Sequence, residues 1–255
     1  KEGLNVICGE NGWGKTTLCA FLKVMFFGFE NERTRDAYEN ERKRFKPWQG
    51  GVYGGSVNFE ADGVEYLHID IMDGKFVPNL GIGSDFIKAL RKHTDIPFDY
   101  HIMVKDPDSV IDLLDIREND LVSVHYESSF QIQRTLENVR KHGCKVMIAI
   151  NPATPLCTLD ELIYYIDGIN LLMVNPGFAG QKMVDNCLRK AEKVARCIRK
   201  FKRTDIIFEV DGNISFENAK KLNDYGANLF VAGTSSIFKE GNMEENITHL
   251  QAAIN

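Results

Sequence analysis

From about residue 65 onward, short β-branched and apolar runs alternate with amphipathic stretches, a rhythm that restricts the chain to consecutive βα units around a parallel sheet. Seven such runs read as strands: Tyr66 to Ile71, Phe98 to Val104, Leu121 to Tyr126, Lys145 to Ile150, Ile169 to Val174, Ile206 to Val210 and Leu229 to Ala232. Helical stretches lie between them, among them Asp85 to Lys92, Gln131 to His142 and Phe216 to Tyr225, the last two closed by Gly143 and Gly226 as C-terminal stops. The expected class is α/β, a (β/α)8 TIM barrel one βα unit short.

Side chains of a strand alternate between two faces, so His68, Asp70 and Met72 point one way and Leu67, Ile69 and Ile71 the other. His101 and Met103 share a face in the same manner, as do Glu209 and Asp211. Each pair sits where an apolar run gives way to Gly, Pro or charge, the carboxyl end of a strand, where barrels of this kind place their chemistry. Two imidazoles and two carboxylates, His68, Asp70, His101 and Asp211, suit a divalent metal. A lone Asp or His in a strand is usually hydrogen-bonded scaffolding, and four in one setting reverse that expectation. His125, inward by alternation with Ser123, reads as a wall residue.

With 255 residues, 44% hydrophobic, the chain can build one large α/β domain or two small ones. A formal charge of -5 does not suggest a nucleic-acid partner. Six cysteines without a Cys-x-x-Cys pair, no secretory signal and no long apolar span point to reduced thiols in a cytoplasm and to no membrane partner. The chain starts at Lys1, without Met, in a stretch that already reads as a strand, so a further upstream portion is expected.

Residues 1–63 carry a different signal. Gly9-Glu10-Asn11-Gly12-Trp13-Gly14-Lys15-Thr16 matches the P-loop pattern, following a strand-like Leu4 to Cys8 and opening a helix-like Lys15 to Phe27. Gly9, Asn11, Gly12 and Gly14 would offer backbone N–H groups to phosphates, Lys15 its charge, and Thr16 its hydroxyl to magnesium, so ATP with magnesium is a candidate ligand. This stretch resembles the N-terminal piece of recombination-type and chromosome-maintenance-type ATPases, a resemblance extended by Pro47-Trp48 and by Gly54 to Glu60. Hydrolysis needs a second, acid-bearing strand and a group to position water, and neither is evident. The charged segment Glu30 to Lys46 reads as a solvated helix or loop.

Residues 64–255 form the second expected domain, and from residue 65 they resemble the ribulose-phosphate 3-epimerase family. The carriers are His68-Ile69-Asp70-Ile71-Met72-Asp73-Gly74 with Phe76-Val77-Pro78-Asn79, His101 to Val104, Val174 to Gln181, Glu209-Val210-Asp211-Gly212 and Gly233-Thr234-Ser235. The resemblance implies that His68, Asp70, His101 and Asp211 bind one divalent metal ion (zinc, ferrous iron, cobalt or manganese) and that Asp70 and Asp211 are the acid/base pair. It implies a phosphorylated ketose in contact with Met72, His101, Met103, Gly177, Phe178, Ala179, Gly180, Gly212, Asn213, Gly233 and Thr234, and a homo-oligomer. Met72 and Met103 read equally well as plain packing. D-Ribulose 5-phosphate and D-xylulose 5-phosphate are the first expectation, while Ala179, Asn213 and Gly233-Thr234-Ser235 also resemble the allulose-6-phosphate branch. A nucleotide-binding module and an inactive fusion fragment are the alternatives from other classes. Two departures stand out. The family's first strand and helix are missing, with the P-loop strand and helix standing in their place, and Leu172 occupies a position where the family often has a cavity methionine.

Overall fold

The computed structural model describes residues 64–239 and 242–254. The P-loop residues Gly9, Asn11, Gly12, Gly14, Lys15 and Thr16 lie outside the described residues. Seven parallel strands follow one another in sheet order: β1 (Leu67–Met72), β2 (Phe98–Met103), β3 (Leu121–His125), β4 (Lys145–Ile150), β5 (Gly168–Leu172), β6 (Ile207–Asp211) and β7 (Leu229–Phe230). Between or after them run α1 (Ser84–Leu90), α2 (Ile132–Arg140), α3 (Cys187–Lys200), α4 (Phe216–Tyr225) and α5 (Met243–Ile254). Sheet order that equals chain order, with helical crossovers, is the barrel arrangement. The sheet is curled, since His68 on β1 reaches to 3.8 Å from Asp211 on β6, its neighbour only across the interior. Among the described residues β1 and β7 each have a strand partner on one side only.

Strand alternation sorts the side chains into two layers. Ile69, Ile71, Tyr100, Ile102, Val122, Val124, Ile148, Ile169, Leu171, Phe208 and Val210 face outward into an apolar cluster with Ile87, Leu136, Val139, Ala191, Val194, Ala219 and Leu222 of the helices. Their neighbours face the barrel interior, and these include Asp99, His101, Ser123, His125, Asn170 and Glu209, all buried. The outer layer removes apolar area from water, at roughly 25 cal/mol per Å², and so carries most of the driving force for the fold. That leaves the inner face free to hold polar groups.

Strand and helix limits fall within two residues of the sequence expectation; at β7 the sequence pattern runs to Ala232 and the strand ends at Phe230. Residues 234–238 form a turn there, so the glycine loop after β7 does not open directly into a helix. Gly226 closes α4 in the left-handed region at φ 103°, as its placement suggests. No helix among the described residues is long and apolar enough to cross a membrane, and the four cysteines among them are free.

Candidate active site

Four ligand-type side chains converge at the carboxyl ends of β1, β2 and β6. His68 Nε2 lies 3.3 Å from Asp70 Oδ1 and 3.8 Å from Asp211 Oδ2, and His101 Nδ1 lies 3.3 Å from each of those same two oxygens. Donors around a tetrahedral ion with bonds of about 2.0–2.2 Å stand roughly 3.3–3.6 Å apart. The observed spacing is close to that.

Hydrogen bonding supports the same fit. His68 Nε2, Asp70 Oδ1 and His101 Nδ1 are all buried and lack a hydrogen-bond partner, although the other ring nitrogens of His68 and His101 are hydrogen-bonded. Orphaned buried polar atoms are costly, and three aimed at one another describe a place that a cation would complete. Each of the four residues reaches that place from an inward strand position, as alternation requires.

The charges answer one another. Burial would lower the His101 pKa, but the Asp211 and Asp70 carboxylates 3.3 Å from its Nδ1 raise it to about 9. For His68, burial again opposes, and Asp99, Asp70 and Asp211 hold the pKa well above the usual imidazole value. Asp70 is the reverse case: burial pushes its carboxyl up, but His101 and His68 hold it well below the usual carboxylate range. These shifts favour the charged forms of both imidazoles and of the Asp70 carboxyl.

Behind these four stand two acids, Asp99, which the sequence did not single out, and Glu209, which it placed on the inward face without a role. Asp99 Oδ2 lies 2.5 Å from His68 Nδ1, and Glu209 Oε1 lies 3.7 Å from the same nitrogen. Their positions two residues before His101 and Asp211 put them on the same inward face, one layer deeper. Burial, then the neighbouring Asp99, raises the Glu209 pKa well above the usual value, with His68 opposing. His125, expected to be a wall residue, places Nε2 2.8 Å from His101 Nε2 and Nδ1 3.1 Å from Glu127 Oε2.

Above the four lies a cavity of about 380 Å³, within the range of about 300–1,000 Å³ common for small-molecule sites. Met72, Met103, Gly177, Phe178, Ala179, Gly180, Gly212, Asn213, Gly233 and Thr234 all line it, as does Leu172 in place of the expected methionine. Its walls are tied together by side-chain amides. Asn79 Nδ2 donates to Gly177 O at 2.7 Å, Gln181 Nε2 to Asn175 O at 2.6 Å and to Phe178 O at 2.9 Å, and Asn213 Nδ2 to Ser235 Oγ at 3.1 Å. Directly after Asp211 the chain turns through two left-handed residues, Gly212 at φ 102° and Asn213 at φ 54°. A Cβ at Gly212 would sit 2.5 Å from Val174 Cγ2, so this turn admits glycine for space as well as for φ.

Comparison with known proteins identifies the family and the fold. The profile of the "Ribulose-phosphate 3 epimerase family" matches residues 55–238. The ribulose-phosphate 3-epimerase of Bacillus subtilis (strain 168) is 35% identical over 194 residues, 76% of this chain and 89% of that protein. That of Serratia marcescens is 40% identical over 184 residues, 72% and 87% of the two chains, and that of Escherichia coli (strain K12) is 36% identical over 195 residues, 76% and 86%. Among solved structures, KGPDC from Streptococcus mutans superposes with a TM-score of 0.53 at 14% identity, covering 74% of this chain and 96% of that one. The 3-hexulose-6-phosphate synthase of Salmonella typhimurium gives a TM-score of 0.52 at 17% identity, covering 74% and 97%. At such identities these two speak for the barrel fold alone.

Proposed function

This chain belongs to the ribulose-phosphate 3-epimerase family, an isomerase family, and on that premise we propose that it interconverts D-ribulose 5-phosphate and D-xylulose 5-phosphate with a divalent metal ion. The observation that carries the reading is the convergence of two carboxylates, from β1 and β6, on one imidazole nitrogen: Asp70 Oδ1 and Asp211 Oδ2 both lie 3.3 Å from His101 Nδ1.

Inversion at a carbon beside a carbonyl removes a proton from one face and returns one to the other, so it needs two acid/base groups flanking the carbon. Asp70 and Asp211 fill those roles. Asp70, kept ionised by its two histidines, is competent to accept a proton, and its side chain is 44% exposed toward the cavity. Asp211, 18% exposed at the end of β6, is the partner from across the interior. His68, Asp70, His101 and Asp211 would hold zinc, ferrous iron, cobalt or manganese, whose charge when bound would polarise the substrate's C2 carbonyl and stabilise the developing oxyanion. Met72 and Met103 present soft, apolar surface beside the reacting carbons and keep water from competing there. Gly212, Asn213, Gly233 and Thr234 supply the backbone and side-chain donors suited to the phosphate, at the end of the barrel where phosphate sites recur. Phe178, 54% exposed on the loop clasped by Gln181, lines the cavity as an apolar wall.

The test follows the C3 proton. Incubated in D2O with ribulose 5-phosphate and one equivalent of Zn²⁺, the full chain should exchange that proton for deuterium, as seen by NMR. Asp211→Asn should slow exchange by about 10²–10⁴-fold. Exchange at the wild-type rate in that variant would end the two-aspartate assignment. Running allulose 6-phosphate in parallel decides between the pentose and hexose phosphates.

A further inference from the structure

The hydrogen-bond chain behind His101 ends on a residue with no contact to the cavity. We propose that Glu127 is a positioning residue of the metal centre: through His125 it fixes His101 as the tautomer protonated at Nε2, which presents the Nδ1 lone pair to the cation. The inference rests on the metal site proposed above.

An N···N separation of 2.8 Å between His101 Nε2 and His125 Nε2 admits one proton. Two would clash and none would leave two lone pairs opposed. The contact is well aligned, since the ring centroids are 5.0 Å apart, close to the N···N separation plus two imidazole radii, and the planes lie 26° from parallel. The single proton belongs to whichever ring has Nε2 as its donor, and the far side of His125 decides which. There, Nδ1 meets Glu127 Oε2 at 3.1 Å. An ionised carboxylate can only accept, so His125 carries its proton on Nδ1 and must accept at Nε2. His101 therefore donates from Nε2. Its Nδ1 then faces Asp70 Oδ1 and Asp211 Oδ2, each at 3.3 Å, and once the imidazole is neutral this is the nitrogen whose lone pair a metal can use.

Glu127 is itself held in the accepting state. Its Oε1 accepts from the backbone N–H of Asn151 at 2.9 Å and from the Thr154 hydroxyl in a short bond, so no proton is needed on that oxygen. The loop that carries Asn151 and Thr154 is pinned by Lys190 of α3, whose Nζ donates to Asn151 O at 2.6 Å, Pro152 O at 3.2 Å and Thr154 O at 2.7 Å. Thus a rail of fixed polarity runs from α3 through the loop after β4, Glu127 and His125 to the ligand nitrogen. His68 reaches the same end by a shorter route, with Asp99 against its Nδ1 and Nε2 turned to the site. Two histidines presenting opposite ring nitrogens need two separate orienting carboxylates.

Glu127→Gln reverses the rail with little change in shape. The backbone N–H of Asn151 can only donate, so the amide oxygen takes the Oε1 place and the NH₂ faces His125 Nδ1. His125 then accepts there, donates from Nε2, and drives the His101 proton onto Nδ1, the nitrogen the metal needs. Titration of the full chain with Zn²⁺ against a competing chelator should give one tight site in the wild type, weakened about 10–100-fold in Glu127→Gln. Glu127→Ala, which removes the acceptor without inverting it, should weaken binding less. Equal losses in the two variants, or a Kd in Glu127→Gln within twofold of wild type, would overturn the proposal. ¹⁵N NMR of the zinc-loaded wild type is independent of how well either variant folds: protonated Nε2 on His101 is expected, and protonated Nε2 on His125 would refute it. A wild type that binds no zinc would instead remove the metal reading on which this one stands.

Discussion

The two ends of the barrel both bury charge, and they satisfy it in opposite ways. At the amino ends of the strands Asp120, fully buried, accepts from Phe98 N at 2.7 Å and Arg117 N at 2.7 Å and pairs with Arg91. The Arg91 guanidinium lies 3.5 Å from the Phe98 ring centroid, and its Nη2 reaches Asp115 O at 3.3 Å. Of this cluster's buried side-chain atoms only Arg91 Nε lacks a partner. At the carboxyl ends, His68 Nε2, Asp70 Oδ1 and His101 Nδ1 all lack one, and they face the same point. A closed cluster is finished by folding. An open one is finished by something that binds, which is why the second end, and not the first, reads as the site of chemistry.

The sharpest way to break this contrast is at the closed end. Arg91→Ala leaves Asp120 as an uncompensated buried carboxylate, and removing one partner of a buried pair costs about 3–5 kcal/mol. A shift of that size is expected in the urea midpoint of the full chain. C3 proton exchange per folded molecule should stay within twofold, since no residue of the cluster lines the cavity. A small stability change with a large loss of exchange would mean that the two ends are coupled and that the contrast is false.

The closed cluster also shows where sequence reading stops. The seven strands were legible because each is a short apolar run whose inward and outward positions differ in chemistry; Lys145–Ile150 has the same limits in both. The candidate ligands His68, Asp70, His101 and Asp211 were legible because they stand at inward strand positions in motifs of familiar spacing. Asp99 and Glu209 stand on the inward face by the same alternation, as the sequence shows for Glu209, but their role was not legible because nothing in the strand marks an acid as oriented toward a histidine 31 or 141 residues away. Glu127 lies past the end of β3, and only the short 3₁₀ turn Tyr126–Ser128 brings it back under His125, so no periodicity could have announced it. Pairing of Arg91 with Asp120 depends on α1 returning to the start of the sheet, a tertiary fact with no local trace.

pH sharpens the contrast at the open end. In the metal-free protein burial opposes the charge on His101, but the neighbouring Asp211 and Asp70 carboxylates push its pKa up to about 9, against about 6.5 for an unfolded histidine. The folded state therefore holds its proton more tightly. Its contribution to stability is complete below about pH 6.5 and is lost as pH rises through about 9, with a slope of up to about 1.4 kcal/mol per pH unit. His68, shifted in the same direction, adds to the fall. Zinc displaces those protons, so the loaded protein should gain relative stability over the same window. Melting curves of chelator-treated and zinc-loaded protein from pH 6 to 9.5 should diverge as pH rises. Parallel curves would show that the imidazoles are not exchanging protons for metal.

The smallest effect tests a place where the two kinds of bonding meet. Ser215 caps α4, its Oγ accepting from Asn218 N at 3.2 Å, while Asn218 Nδ2 donates to Asn213 O at 2.9 Å. The cap belongs to the scaffold, and Asn213 lines the cavity. Ser215→Ala should cost about 1 kcal/mol, and Ser215→Gly a few tenths. If Asn213 and its glycine neighbour hold the phosphate in ground state and transition state alike, the loosened cap should also raise KM and leave kcat unchanged. A KM that stays fixed while stability drops would assign the loop after β6 to the closed, folding-completed kind of hydrogen bonding and move the phosphate contacts toward Gly233 and Thr234. A fall in kcat would instead tie the loop to Asp211, only two residues before Asn213, through the left-handed turn that joins them.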